Sequence, residues 1–131
     1  VFICPEAKIK YPFSDIGLAP DVGSSYLLFQ ALGYQKAAQL LFESKPIDGK
    51  TYFELGLAKY VGEDFLIKAN AYAHALKEQS LGSIMETKAI LKSFTEDDLI
   101  KARSLETQAM KRLFGSADNL KAVEKFFARK K

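Results

Sequence analysis

The 131-residue sequence predicts a mostly α-helical chain entered through a few short strands. Three observations carry that prediction. Apolar and basic residues alternate over Ala7-Lys8-Ile9-Lys10-Tyr11, which is the period of a strand. From Ser24 onward the apolar residues recur at helical spacing. Between the two lies a stretch broken by Pro12, Gly17, Pro20 and Gly23, which reads as a loop leading into a helix.

Taken in order, Val1-Phe2-Ile3 and Ala7-Lys8-Ile9-Lys10-Tyr11 read as two short strands on either side of a Cys4-Pro5-Glu6 turn. The loop that follows is the kind of segment on which chemistry is carried. Tyr26-Leu27-Leu28-Phe29 and Ala31-Leu32 make a helix, and Gly33 stands where a C-cap is expected. Ala37, Ala38, Leu40, Leu41 and Phe42 make a second. After the extended link Lys45-Pro46-Ile47, a helix over about 50–55 is stopped by Gly56, and Leu57–Val61 is a further short strand. Phe65, Ala69, Tyr72, Ala73 and Leu76 form a helical stripe that predicts a helix over 63–79. A shorter helix covers Ile84–Leu91. Thr95 is expected to cap a long helix to Phe114, with Asp98 completing an imperfect capping box. Gly115 ends it, and Ser116 is the candidate N-cap of the last helix, whose apolar face is read as Leu120, Val123 and Phe127.

The hydrophobic content of 48% supplies one core. The chain opens on VFIC, a strand already under way, so the expectation is a piece of a longer protein whose strands pair with the remainder. Cys4 is the only cysteine and His74 the only histidine. No disulfide framework, cysteine cluster or multi-histidine metal site is therefore expected, and His74 is assigned no role. No apolar run approaches the ~20 residues of a membrane span, and no signal-like segment opens the chain. The ending Ala128-Arg129-Lys130-Lys131 is not of the S-K-L type, so a cytoplasmic location is expected, with peroxisome or mitochondrion the alternative for a eukaryotic protein, and no membrane partner. From Ser116 on, five basic residues face two acidic ones, which accounts for the whole net charge of +3. With no base-reading motif present, nucleic acid is not expected as a partner.

Physical chemistry alone singles out Asp21, which follows Pro20 and precedes the Val22-Gly23-Ser24-Ser25 helix start. The positive end of a helix would stabilise its carboxylate, whereas acid/base work would require apolar walls to raise its pKa. A helix N-cap is the competing reading. Ser24 and Ser25 lack the frame of a nucleophile elbow and are read as serving the helix start. The aromatic residues Tyr26, Phe29, Tyr34 and Phe42 are spaced as helix core.

The order AKIKYPFSDIGLAPDVGSSYLLFQALGYQKAAQLLFESKPIDGKTYFELGLAKYV resembles the crotonase (enoyl-CoA hydratase/isomerase) superfamily over about residues 7–62. The segment PFSDIGLAPDVGSSY is most similar to the 3,2-enoyl-CoA isomerases. The resemblance implies the spiral α/β crotonase fold for the parent protein. On that reading residues 1–62 are the C-terminal part of its core with the active-site loop, and residues 63–131 are a helical oligomerisation region. It also implies an acyl-CoA substrate, with coenzyme A carried by the substrate and no separate cofactor, and a homotrimer or dimer of trimers.

Hydratases of the superfamily use two glutamates, one of them four residues before the loop glycine, and Phe13 stands in that place here. The resemblance therefore implies a one-base double-bond isomerase of fatty-acid oxidation with Asp21 as the catalytic carboxylate. A hydratase-like enzyme, or a non-catalytic CoA- or protein-binding module, is the alternative. Phe13, Ile16, Leu18 and Tyr26 are candidates for the acyl pocket or for plain core. Lys121, Lys125 and Arg129 form a ridge that could meet coenzyme A phosphates or remain a solvated face. Glu6 is read as a turn residue and Asp15 as solvated. The chain by itself is not expected to be active, because its oxyanion hole would be incomplete.

Overall fold

The computed structural model describes residues 1–128. Its contacts group the chain into two compact units, Val1–Ile9 with Ile47–Asp97, and Lys10–Pro46 with the chain from Asp98 onward.

In the first unit, β1 (Phe2–Ile3) pairs in parallel with β2 (Tyr60–Val61), placing Phe2 beside Tyr60 and Ile3 beside Val61. The second N-terminal strand expected from alternation is reduced to one residue, Ile9, which bridges antiparallel to Ile47 through two 2.9 Å hydrogen bonds. Alternation marks a strand, but its length depends on partners that local sequence does not name. α2 (Gly49–Glu54) is capped by Asp48, whose carboxylate accepts from the Thr51 N–H at 2.8 Å and is held below the ordinary carboxylate range by that bond. Gly49 is buried, and a Cβ there would overlap the Cys4 carbonyl. Only glycine permits that approach.

α3 (Phe65–Lys77) uses its predicted stripe unevenly. Tyr72 packs on Phe2 with ring centroids 5.6 Å apart and takes the Lys59 ammonium 4.6 Å above its ring. Ala73 and Leu76, farther along, are exposed. α4 (Leu81–Ser93) is capped by the Ser80 hydroxyl, which accepts from the Ser83 N–H. Thr95 does not act as the forward cap expected of it. Its hydroxyl donates backward to the Lys92 carbonyl at 3.1 Å, finishing α4 rather than opening α5 (Glu96–Leu113). Hydroxyls often bond to backbone three or four residues earlier, and here that alternative wins.

The second unit begins with a 3-10 turn at Ser14–Ile16 and continues through a loop into α1 (Ser24–Glu43). Gly33 interrupts α1 with φ 73° and ψ 171°, a region open essentially to glycine alone. The two helices predicted on either side of Gly33 are thus present as the two halves of one kinked element. Leu28 and Ala37, one in each half, are the buried apolar residues among those described. Ser44 ends α1 in the left-handed region, buried, with its hydroxyl on the Tyr11 carbonyl at 2.8 Å.

α6 (Ala117–Ala128) starts as predicted, with the Ser116 hydroxyl accepting from the Asn119 N–H. Its packed face differs from the expected one. Asn119, Ala122, Val123 and Phe126 lie inward, while Leu120 and Phe127 are more than half exposed. The inward set has the i, i+3, i+4, i+7 spacing of a helical face, and the polar Asn119 hid that face in the sequence. Among the described residues no helix is long and apolar enough to cross a membrane, and no three His, Cys, Asp or Glu residues are grouped as a metal site.

Candidate active site

The loop from Gly17 to Gly23 carries Asp21 and is anchored at both ends within the second unit. Gly17 closes the 3-10 turn at φ 64°, and a Cβ on it would press against the Asn119 backbone. Immediately before it, the Ile16 carbonyl accepts from Asn119 Nδ2 at 2.6 Å. Asn119 Oδ1 in turn accepts the Gly115 N–H at 3.0 Å, so one buried amide ties α6 to the loop entrance.

At the exit, the buried Glu106 of α5 accepts from the Gly23 N–H at 2.6 Å and the Ser25 N–H at 2.9 Å. The Ser25 hydroxyl donates to the same carboxylate at 2.5 Å. These are the open donors of the α1 N-terminus, where an anion is favoured both by hydrogen bonding and by the helix dipole. The sequence assigned that favourable position to Asp21, and the structure gives it to Glu106.

Asp21 itself is exposed. Its carbonyl accepts from the Ser24 N–H at 2.9 Å and the Ser24 hydroxyl at 2.7 Å. Among the described residues its carboxylate takes no hydrogen bond, so the N-cap reading of that side chain does not hold. Nor do the described residues supply the apolar walls that an acid/base carboxylate calls for. The next residue, Val22, has φ 56° and is 75% exposed. A β-branched residue in the left-handed region is strained by about 1–3 kcal/mol, and at this exposure packing does little to offset it. Gly23 continues the turn at φ 85°.

The other candidates fall into separate places. Phe13, Ile16 and Leu18 are half-buried along the 3-10 turn, with the Phe13 carbonyl accepting from the Leu18 N–H at 2.9 Å and the Ile16 N–H at 3.3 Å. Tyr26 instead lines a cavity of about 370 Å³ with Phe29, Tyr34, Leu41 and Phe42 of α1 and Ala102 and Leu105 of α5. Phe13, Ile16 and Leu18 do not line it. Lys121 and Lys125 are exposed on α6, and Arg129, the third member of the expected ridge, lies outside the described residues. Asp15 is not simply solvated, because it forms an ion pair with Lys10. Glu6 is an exposed residue of the N-terminal turn, and its carboxyl pushes that of Glu63 up from its ordinary value.

Sequence reasoning missed Glu106 and Asn119, and both left the same trace. Leu99, Ala102, Glu106, Met110 and Leu113 share one helical stripe of α5, so Glu106 is a carboxylate placed in an apolar row. Asn119 occupies the equivalent place on α6. A lone polar residue in such a row signals a specific buried partner, because it is otherwise costly.

The architecture is the crotonase fold. An enoyl-CoA hydratase/isomerase structure from Pseudoalteromonas atlantica T6c matches 96% of this chain and 52% of its own with a TM-score of 0.88, at 22% identity, a likeness of fold alone. An enoyl-CoA hydratase structure from Bacillus halodurans matches 94% of this chain and 51% of its own with a TM-score of 0.83 and 28% identity. The chain belongs to the enoyl-CoA hydratase/isomerase family, which it matches over residues 1–131. It is also 30% identical over 126 residues to YhaR of Bacillus subtilis (strain 168), covering 95% of this chain and 49% of that protein. The chain thus spans about half the length of the curated relatives it matches.

Proposed function

We propose that the intact protein is an acyl-CoA double-bond isomerase that converts 3-enoyl to 2-enoyl thioesters with Asp21 as its single proton carrier. One observation carries the reading: the exposed Asp21 carboxylate takes no hydrogen bond among the described residues, while Glu106 and not Asp21 satisfies the adjacent helix end. The place that would hold a hydratase's second carboxylate is filled by the apolar Phe13.

A single base is sufficient for this chemistry. Asp21 takes a proton from C2, and the C2–H electron pair moves into the thioester to give a dienolate. Hydrogen-bond donors at the thioester oxygen stabilise that charge. The protonated Asp21 then returns its proton to C4, leaving the double bond between C2 and C3. No water enters and nothing is oxidised or reduced. The oxyanion donors and the apolar walls around Asp21 would come from the remainder of the protein. The exposed large side chains, among them Phe42, Phe94 and Phe114 at 70% or more exposure, fit a chain with such further contacts, including those of a homotrimer or dimer of trimers. Lys121 and Lys125 are the candidates for the coenzyme A phosphates.

A hydratase is the second reading, favoured by the likeness to the Bacillus halodurans enoyl-CoA hydratase. Assaying the intact protein and its Asp21→Ala variant on a 3-enoyl-CoA and on a 2-enoyl-CoA separates the two. The isomerase reading expects turnover of the first substrate that Asp21→Ala abolishes. Efficient hydration of the second would favour the alternative.

A further inference from the structure

Three features outside the proposed chemistry bear on the loop that carries Asp21. The turn after it is strained at Val22, φ 56°, in a residue too exposed for packing to explain the conformation. The donors that follow, Gly23 N–H, Ser25 N–H and Ser25 hydroxyl, all converge on one carboxylate. That carboxylate belongs to Glu106, 81 residues beyond Ser25, and it is 6% exposed on an otherwise apolar helical face. A buried charge is retained at such a place only when its partners satisfy it, and these three satisfy both of its oxygens.

We infer that Glu106 is a positioning residue for Asp21. Its carboxylate completes the α1 N-terminus, holds Gly23 and Ser25 in place, and so keeps the strained Val22 turn in the conformation that sets where Asp21 stands. Charge-assisted bonds of this kind are the strong ones, and their geometry fixes the backbone two residues after Asp21. Because Glu106 fills the helix end, the Asp21 carboxylate is left without a hydrogen bond among the described residues. The inference rests on the isomerase reading of Asp21 given above.

The test uses the intact protein with 3-hexenoyl-CoA and four variants: Asp21→Asn, Glu106→Ala, Glu106→Gln and Ser25→Ala. Glu106→Ala is expected to lower kcat by about 10- to 100-fold with KM within about threefold, as when a catalytic group is displaced without loss of substrate binding. Glu106→Gln retains size and one acceptor, and Ser25→Ala removes one of the three donors, so both should fall between wild type and Glu106→Ala. Hydrogen exchange over residues 18–28 should accelerate in the order Ser25→Ala, Glu106→Gln, Glu106→Ala, with α6 unchanged. In the Asp21→Asn background, Glu106→Ala should cost little further rate, because it acts through a group already removed.

Full activity in Asp21→Asn would sink the isomerase reading and this inference with it. Loss of activity in Asp21→Asn with Glu106→Ala unimpaired, or with its cost undiminished in the double variant, would overturn the inference alone. If all three variants at Glu106 and Ser25 failed to fold, Glu106 would be a structural residue and the inference would likewise be overturned.

Discussion

Replacing Gly23 by alanine tests the loop exit directly, because two separable penalties meet there. Gly23 has φ 85°, and an L-residue in the left-handed region costs about 1–2 kcal/mol. A Cβ at Gly23 would also overlap the Leu99 side chain of α5, the same helix that brings Glu106 to the Gly23 N–H. Turning the end of that side chain aside costs about 0.5–1.5 kcal/mol more, so Gly23→Ala is expected to destabilise by roughly 1.5–3.5 kcal/mol. Gly115→Ala provides the internal control. Its φ is 75°, yet nothing lies within 4 Å of its Cβ position, so it should carry the conformational penalty alone, about 1–2 kcal/mol. Urea unfolding of the two variants, compared at unchanged m-value, reads the difference. Leu99→Ala combined with Gly23→Ala should cost less than the sum of the two single changes, because the clash is then gone. Equal destabilisation by Gly23→Ala and Gly115→Ala, with strict additivity in the double variant, would refute the placement of α5 against the loop exit.

Other consequences follow from the same structure. Asn119→Ala leaves the Ile16 carbonyl and the Gly115 N–H without the partner that buries them, and a loss of roughly 2–4 kcal/mol is expected in denaturant unfolding. Ser80→Ala removes the cap of α4 and should cost about 1 kcal/mol, with reduced helix protection confined to residues 81–84 in hydrogen exchange. Glu63 is pushed above its ordinary value by the Glu6 carboxyl, so its favourable contribution is complete below the ordinary carboxylate range and is lost as pH rises through the elevated value. Glu6→Gln should therefore flatten the fall in stability over that rise, and an unchanged pH profile would count against the pair. Asp48 has the opposite sign, because the Thr51 N–H holds its carboxyl low. Asp48→Asn should remove a stability contribution that wild type loses only as pH falls below the ordinary carboxylate range.

Much of the secondary structure could be read from local pattern because its determinants are local. The Gly33 break in α1, the Gly56 stop after α2 and the Ser116 cap of α6 each depend on conformations or hydrogen bonds within a few residues. Features set by distant partners were not legible in the same way. Ile9 meets Ile47, and Phe2 meets Tyr60, across separations that alternation does not encode. The packed face of α6 was misassigned because Leu120 and Phe127 are more hydrophobic than Asn119, yet Asn119 is the residue with a buried partner. At the candidate site, the position of Asp21 was visible from its loop, whereas the anion at the helix start was not. Glu106 is remote in sequence, and only its presence in an apolar row marked it.

The role of Asp21 is tested most directly by the rate at which the intact protein converts 3-hexenoyl-CoA to the conjugated 2-enoyl thioester, followed by the absorbance of the product. Removal of a sole proton carrier should reduce kcat in Asp21→Asn by about 10²- to 10⁴-fold. That loss should come with the protein still folded, since the exposed Asp21 carboxylate makes no hydrogen bond among the described residues. Equal rates in wild type and Asp21→Asn would contradict the assignment.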